Sequence, residues 1–254
     1  AIYYFGSLDK TYRMIYSDDS YRSVNNGYNL LLRGVTGKFG VQYEQPLGNG
    51  YSLTFGATYR LRTNVKGYVT DYSYAITTET TDTLRNSVDT LGRSSGIRFG
   101  DELGVGVSIR SGDKWSLEVN YLMSDWRGSG MSDRRGFAAA GRSVFTSTVS
   151  HSLRAGFEIV PNRNDIRYYL KRCAYRAGLY YDTSYYLLDG NKVNSFGLTL
   201  GATLPVFRWY NGITVGVDIG QRGSLRGSMV RENYVNFSVG FNIHDLWFQK
   251  PRYN

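Results

Sequence analysis

Residues Tyr234 to Asp245 read Y-V-N-F-S-V-G-F-N-I-H-D, and this stretch decides the fold. Val235, Phe237, Val239, Phe241 and Ile243 share one parity, while Asn236, Ser238, Gly240, Asn242 and His244 share the other. Successive side chains of a strand point to opposite faces, so the stretch is a strand with one apolar face and one small, polar face. Such a strand stands between two different solvents.

Working back from it, the same alternation recurs eight times. Ile213 to Ile219, Phe196 to Val206, Tyr175 to Tyr181, Leu153 to Ile159, Trp115 to Met123, Leu103 to Ile109, Tyr51 to Leu61 and Phe39 to Tyr43 each put apolar residues on one parity and Gly, Ser, Thr or single charges on the other. That makes nine clear strands. Residues 1–36 add one or two more, interrupted by the turn chemistry of D-K-T, S-D-D-S and V-N-N-G. The tight turns P-L-G-N-G at 46–50 and S-G-D-K at 111–114 join hairpins, and L-D-G-N-K carries the D-G signal of a two-residue turn. A Thr-, Ser- and Asp-rich passage from Arg62 to Ile97 reads as a long loop whose flanks extend the strands, and P-N-R-N-D-I-R-Y-Y-L-K-R at 161–172 as a compact connection with one helical turn.

Parity alone does not say which face is outside. A soluble lipocalin-like barrel puts the apolar parity inward, and a β-sandwich buries it between sheets. Three features favour a membrane instead. Connections alternate between short (46–50, 111–114, 207–212) and long (62–97, 127–145, 221–232), as in up-and-down outer-membrane barrels. The polar parity is filled by residues suited to a water-facing wall. Aromatics gather at strand ends: Tyr51, Trp115, Tyr168, Tyr169, Trp209, Tyr210, Trp247 and Phe248 at one end, Tyr121, Trp126, Tyr181, Tyr185 and Tyr234 at the other, as interfacial girdles require. The ten steps from Trp115 to Asp125, tilted by about 45°, span roughly 24 Å, close to the apolar band of such a barrel. The fold class expected is therefore an all-β, up-and-down antiparallel transmembrane β-barrel, one domain over 1–254, in a bacterial outer membrane with its C-terminus periplasmic.

Bulk composition sets further bounds. A mean hydropathy of −0.37, with no apolar run near the 18 or so residues of a membrane helix, excludes a helical membrane protein but not a strand-built one. The start A-I-Y-Y-F-G carries no export signal, so outer-membrane residence rests on the strands. The single Cys173 rules out a disulfide within the chain, and with only His151 and His244 no metal or other cofactor is implied. The net charge of +9 is spread over the whole length without a stripe or binding motif, so no nucleic acid is expected as a partner.

Catalysis would need a paired base and nucleophile. His151 lies between Ser150 and Ser152, and His244 beside Asp245, but adjacent strand residues face opposite ways, so the chain is read as no enzyme. The charges on the polar parity, Arg60, Arg110, Glu118, Arg154, Glu158, Arg176 and Asp218, are candidates for the lumen wall. They form either a gate or plug-binding network or, as the plainer reading, pairs that neutralise one another across strands. Val235, Phe237, Val239, Phe241 and Ile243 are the lipid-facing side of the last strand. Outer-membrane lipid and lipopolysaccharide are the expected surroundings. Arg127, Arg134, Arg135, Arg142, Arg222, Arg226 and Arg231 in the long loops either meet lipopolysaccharide phosphates or form a solvated rim.

The runs Y-R-A-G-L-Y-Y-D-T-S-Y at 175–185, N-S-F-G-L-T-L-G-A-T-L-P at 194–205, G-V-D-I-G-Q-R-G at 216–223 and E-N-Y-V-N-F-S-V-G-F-N-I-H-D-L-W-F at 232–248 resemble the ends of Bacteroidetes outer-membrane proteins of the FadL-like, hydrophobic-compound transporter type. That resemblance implies a 14-stranded barrel with an N-terminal plug and passage of hydrophobic small molecules. Only ten or eleven strands are readable here, which leaves the N-terminal strands and plug outside this chain. Related barrels serve as subunits of larger outer-membrane complexes, in barrel assembly or type IX secretion. The alternative expectation is accordingly a non-transporting barrel that holds other outer-membrane proteins or lipoproteins.

Overall fold

The structure is a computed structural model describing residues 1–17, 21–76, 81–91, 97–130, 145–206, 211–226 and 229–243. Its strands are β1 (Ile2–Met14), β2 (Ser23–Thr36), β3 (Lys38–Gly48), β4 (Tyr51–Arg60), β5 (Thr63–Ile76), β6 (Thr81–Leu91), β7 (Ile97–Phe99), β8 (Asp101–Ser111), β9 (Trp115–Asp125), β10 (Phe145–Ser147), β11 (Val149–Ile159), β12 (Ala174–Leu188), β13 (Asn191–Pro205), β14 (Gly212–Gly223) and β15 (Arg231–Asn242). One 3-10 turn, Tyr169–Arg172, supplies the helical turn expected between 161 and 172.

Nine of these strands form one ladder, β15-β14-β13-β12-β11-β9-β8-β4-β3, every neighbour antiparallel. They are the nine strands legible in the sequence, and the fold is the up-and-down all-β architecture it implies. Among the described residues no pairing joins β15 to β3. The two edges run in the same direction, because nine alternating strands begin and end alike, so antiparallel closure needs an odd number of further strands between them.

Turn chemistry fixes the hairpin ends. Asn49 (φ 51°) and Gly50 (φ 80°) close β3 onto β4, and Asp189 (φ 49°) and Gly190 (φ 76°) close β12 onto β13. Paired left-handed residues match the twist of flanking strands, and Asn-Gly and Asp-Gly are the dipeptides that tolerate them. β3 runs through Pro46, which the ladder accepts because β3 is an edge strand and its missing N–H is not called on.

The sequence expectation fails between 1 and 100, where strand continues through residues that look like turns. β1 passes unbroken through Asp9-Lys10-Thr11 and β2 through Asn25-Asn26-Gly27, in register with one another, Asp9 lying opposite Asn29, whose amide donates to it. The Thr-, Ser- and Asp-rich passage from Arg62 to Ile97 holds β5 and β6, with β6 folded back on β5, and ends where β7 begins. Threonine is β-branched and suits a pleated surface, so a Thr-rich run is a strand signal as much as a polar one.

β2 leads into β3 across Gly37 alone, and β4 into β5 across Leu61 and Arg62. One hairpin thus runs far beyond the ladder. The unequal connectors make a bulge: Leu61 N donates to Gly37 O (3.0 Å), and the Thr36 hydroxyl to Leu61 O (2.8 Å). An extra residue on one strand exchanges its faces relative to the partner. Above the bulge the even residues of β2 and the odd residues of β5 therefore share a side, and Leu30 stands opposite Val69. That side is buried. Leu30, Tyr28, Val69 and Ile97 form a core, with Leu32, Phe99, Trp126, Phe145 and Tyr185 packed against it.

The ladder has two unlike faces. Phe39, Phe55, Val105, Leu153, Leu179, Phe196, Leu200, Phe237 and Phe241, all of the apolar parity, are exposed, Phe237 to 80%. The opposite parity lines open concavities of about 810 and 660 Å³ along the inside of the curved sheet.

Candidate functional site

The concave wall is built in rows, because pairing places the same parity of successive strands side by side. One row runs Arg154, Tyr180, Gly197, Gly220, Tyr234 across five strands. Two glycines sit between two tyrosines, and the rings lie over them: a Cβ on Gly197 would overlap the Tyr180 ring, and one on Gly220 would come 2.5 Å from Tyr234 Cζ. The two hydroxyls meet over the gap. Tyr180 Oη donates to Asp218 (3.0 Å) in the adjoining row, and the Asn236 amide also donates to Asp218 (3.5 Å).

A second row is Glu158, Arg176, Gly201, Gly216, Ser238. Arg176 Nε donates to Glu158 Oε2 at 2.6 Å, and Arg176 Nη1 to the Thr203 hydroxyl at 2.6 Å, itself 2.9 Å from that of Thr214. Arg154 reaches Asp182 (3.5 Å) and the Ser152 hydroxyl (3.2 Å). Asn120 donates to Glu118 on the same strand. Arg110, Glu118 and Arg154 line the larger concavity, and Glu118, Arg154, Glu158, Arg176 and Asp218 the smaller. Of the charges singled out in the sequence, Arg60 stands apart, at the end where the long hairpin leaves the ladder. It donates to the Tyr4 hydroxyl (3.1 Å) and pairs with Glu102 (3.4 Å), which Lys38 also reaches (3.0 Å). Asp182, Tyr180 and the Lys38–Glu102 pair were not singled out; the glycine opposite each tyrosine was the visible signal.

Beside that junction, Arg62 bridges Asp101 (3.0 Å) and Asp125 (3.5 Å), and Arg127 clasps Asp125 (2.8 Å). The network braces the base of the hairpin against the ladder. Trp126 and Tyr185 lie 5.1 Å apart, partly buried against the core above it, so they help hold the extension in place. Tyr234 belongs to the concave wall. At the other end Tyr51, Trp115 and Phe157 form a chain of ring contacts at 6.2 and 6.3 Å. Trp209, Tyr210, His244, Trp247, Phe248, Arg134, Arg135 and Arg142 lie outside the described residues.

His151 is held by both neighbouring strands: its Nδ1 is 2.7 Å from the Tyr121 hydroxyl of β9, and its backbone N–H donates to the Thr183 hydroxyl of β12 (2.9 Å). Ile243, at the end of the last strand, is exposed with Val235, Phe237, Val239 and Phe241.

An antiparallel up-and-down sheet with a bare apolar outer face and a cross-braced polar inner face defines a class, the outer-membrane β-barrel proteins. The chain belongs within it to one family, BamG, whose family model matches residues 1–254, and is thereby a barrel-assembly-related outer-membrane protein. This membership replaces the FadL-type resemblance, which the match does not support. The residues that carried the resemblance are those any narrow, polar-walled barrel needs: alternation, glycines beneath tyrosines and hydroxyl rows. No curated protein and no solved structure matches the chain.

Proposed function

We propose that the chain is a non-transporting barrel subunit of the outer-membrane barrel-assembly machinery, a membrane-embedded holder for partner proteins. The observation that carries this reading is the BamG family match over residues 1–254. In this reading the exposed apolar parity, including Val235, Phe237, Val239, Phe241 and Ile243, faces lipid, and the braced rows of Arg110, Glu118, Arg154, Glu158, Arg176 and Asp218 face the interior. The short-turn end and the C-terminus are periplasmic, and the long hairpin of β2, β5 and β6 stands on the outer surface among lipopolysaccharide. Arg176 pairs with Glu158 along a row and Arg154 reaches Asp182 in the next, which supports a cross-braced structural wall over a track for hydrophobic solutes. The role is one of binding, with no catalytic step assigned to the chain.

Gentle detergent extraction of the full chain, followed by mass spectrometry of what co-migrates, tests the reading. Stoichiometric outer-membrane or lipoprotein partners are expected; a clean monomer overturns it. Loss of hydrophobic-solute uptake on deletion, with no defect in barrel assembly, would restore the transport reading.

A further inference from the structure

Of the connections at the short-turn end, the one between β11 and β12 is out of proportion. Residues 160–173 replace a turn with a built loop. Asp165 caps it, accepting from the amides of Tyr168 (2.7 Å) and Arg167 (2.9 Å). Asn162 N donates across the base to Lys171 O (2.8 Å), and Val160 N to Lys114 O (2.7 Å) of the neighbouring turn. The Tyr169 hydroxyl donates to Pro205 O (2.9 Å), the Tyr175 hydroxyl to Leu170 O (3.0 Å), and the buried Cys173 thiol to Tyr169 O (3.7 Å). A loop tied to three strand ends is a platform.

What the platform displays is unusual for a surface in water. Ile166 at its tip is 101% exposed, and Leu170 beside it 66%. Between 161 and 172 the chain carries Arg163, Arg167, Lys171 and Arg172 against the single carboxylate of Asp165, which is turned onto its own loop's amides. Ile166, Arg163 and Arg172 overhang a cup of about 570 Å³ whose floor is Glu158, Arg176 and Thr203 on the concave wall, with Asn242 of the last strand at its side. The Glu158 carboxylate is engaged by Arg176, and Arg163 pairs at 3.8 Å with Asp113 of the neighbouring turn; with five N–H donors each, the Arg163 and Arg172 guanidinium groups stand around one apolar anchor.

We propose that this cup docks an acidic segment of a partner protein, carboxylates meeting Arg163 and Arg172 and an apolar side chain packing on Ile166. Fork-shaped guanidinium donors suit carboxylates, and an exposed apolar anchor ringed by charge is the arrangement of an interface hot spot. The occupant is protein, not lipid, because the cup opens on the concave side, whereas lipid lies against the opposite face that carries Tyr175 and Leu179. The proposal deepens the reading as an assembly subunit and rests on it.

The test uses the purified full chain in nanodiscs and a fluorescent peptide in which one leucine is flanked by glutamates, with a lysine-for-glutamate peptide as control. Saturable, salt-sensitive binding of the acidic peptide alone is expected. R163E/R172E should weaken it about tenfold or more, the loss typical of an anchor side chain. Arg172 stacks on Tyr169 (5.1 Å), so that variant could disturb the loop. Ile166→Asp, at a fully exposed position, gives the same expected loss without touching the fold. Equal binding by wild type and Ile166→Asp, equal binding of both peptides, or variant-sensitive binding only to vesicles of anionic phospholipid overturns the proposal. In the extraction experiment, partners retained by Ile166→Asp would refute the cup while leaving the assembly reading standing; a wild type without partners would refute the assembly reading itself.

Discussion

Leu30→Ala is the perturbation that most sharply separates the two parts of the molecule. Leu30 is fully buried, and its neighbours Tyr28, Val69 and Ile97, with Trp126, Phe145 and Tyr185 behind them, come from both the long hairpin and the far side of the ladder. Truncating a buried leucine removes its transfer free energy and leaves a cavity, together about 2–5 kcal/mol. At about 3 kcal/mol, opening of the hairpin from the ladder becomes roughly 100-fold more frequent. The effect should stay local, because the ladder from β8 to β15 is held by its own hydrogen bonds and needs none of these contacts. Hydrogen exchange in nanodiscs reads this directly. Amides of β2 near Tyr28–Leu32 and of β5 near Gly67–Asp71 should exchange about 100-fold faster, with those of β12, β13 and β14 unchanged. Uniform acceleration across all strands, or none in β2 and β5, would refute the view that this core fastens the hairpin.

Three further outcomes follow from the wall and the loop. Gly197→Val should force the Tyr180 ring off its place beside Asp218 and cost about 1–3 kcal/mol in chemical unfolding, whereas Gly156→Ala, whose new methyl meets nothing within 4 Å, should be neutral. Amides of Tyr168 and Arg167 donating to its carboxylate, with Lys171 nearby, hold Asp165 below the usual carboxylate range. Its contribution is thus complete above the ordinary carboxylate pKa and is lost as pH falls through the depressed one, so in acid the 160–173 loop should become protease-sensitive, and Asp165→Ala should be so already at neutral pH. Val239→Arg should destabilise the chain in lipid vesicles by about 2–4 kcal/mol, while Ser238→Arg, one residue away, should cost far less.

The nine ladder strands were legible because each carries its own two-faced pattern, which needs no knowledge of its neighbours. Asn49-Gly50 and Asp189-Gly190 were legible for the same reason, a local backbone demand met by a local residue choice. The β5–β6 hairpin was not. Its strands carry no continuous apolar parity, since threonine, serine and aspartate interrupt Val65, Val69 and Ala75, and composition reads as loop. The bulge at Leu61-Arg62 was also invisible, since a single inserted residue shows only when two strands are aligned. Trp126 and Tyr185 look like interfacial aromatics by position along their strands; only the fold of the hairpin toward them shows that they also pack against its core. On the concave wall, parity identified which charges share a face, but which partner each takes depends on register. That is why Glu158 with Arg176 could be named as candidates and not as a pair. The same limit explains the family assignment: the last strands report the demands of any polar-walled barrel, and only the match along the whole chain distinguishes one branch from another.

Everything proposed for this protein depends on which side of the zigzag touches lipid. A nitroxide placed at position 239 or at position 238 of the full chain, with buried Cys173 replaced by serine, and read in bilayers by power-saturation electron paramagnetic resonance, decides it. The account predicts that the label at 239 relaxes with lipid-dissolved oxygen and ignores an aqueous nickel chelate, and that the label at 238 does the reverse. Identical behaviour at the two sites, or the opposite preference, would contradict it.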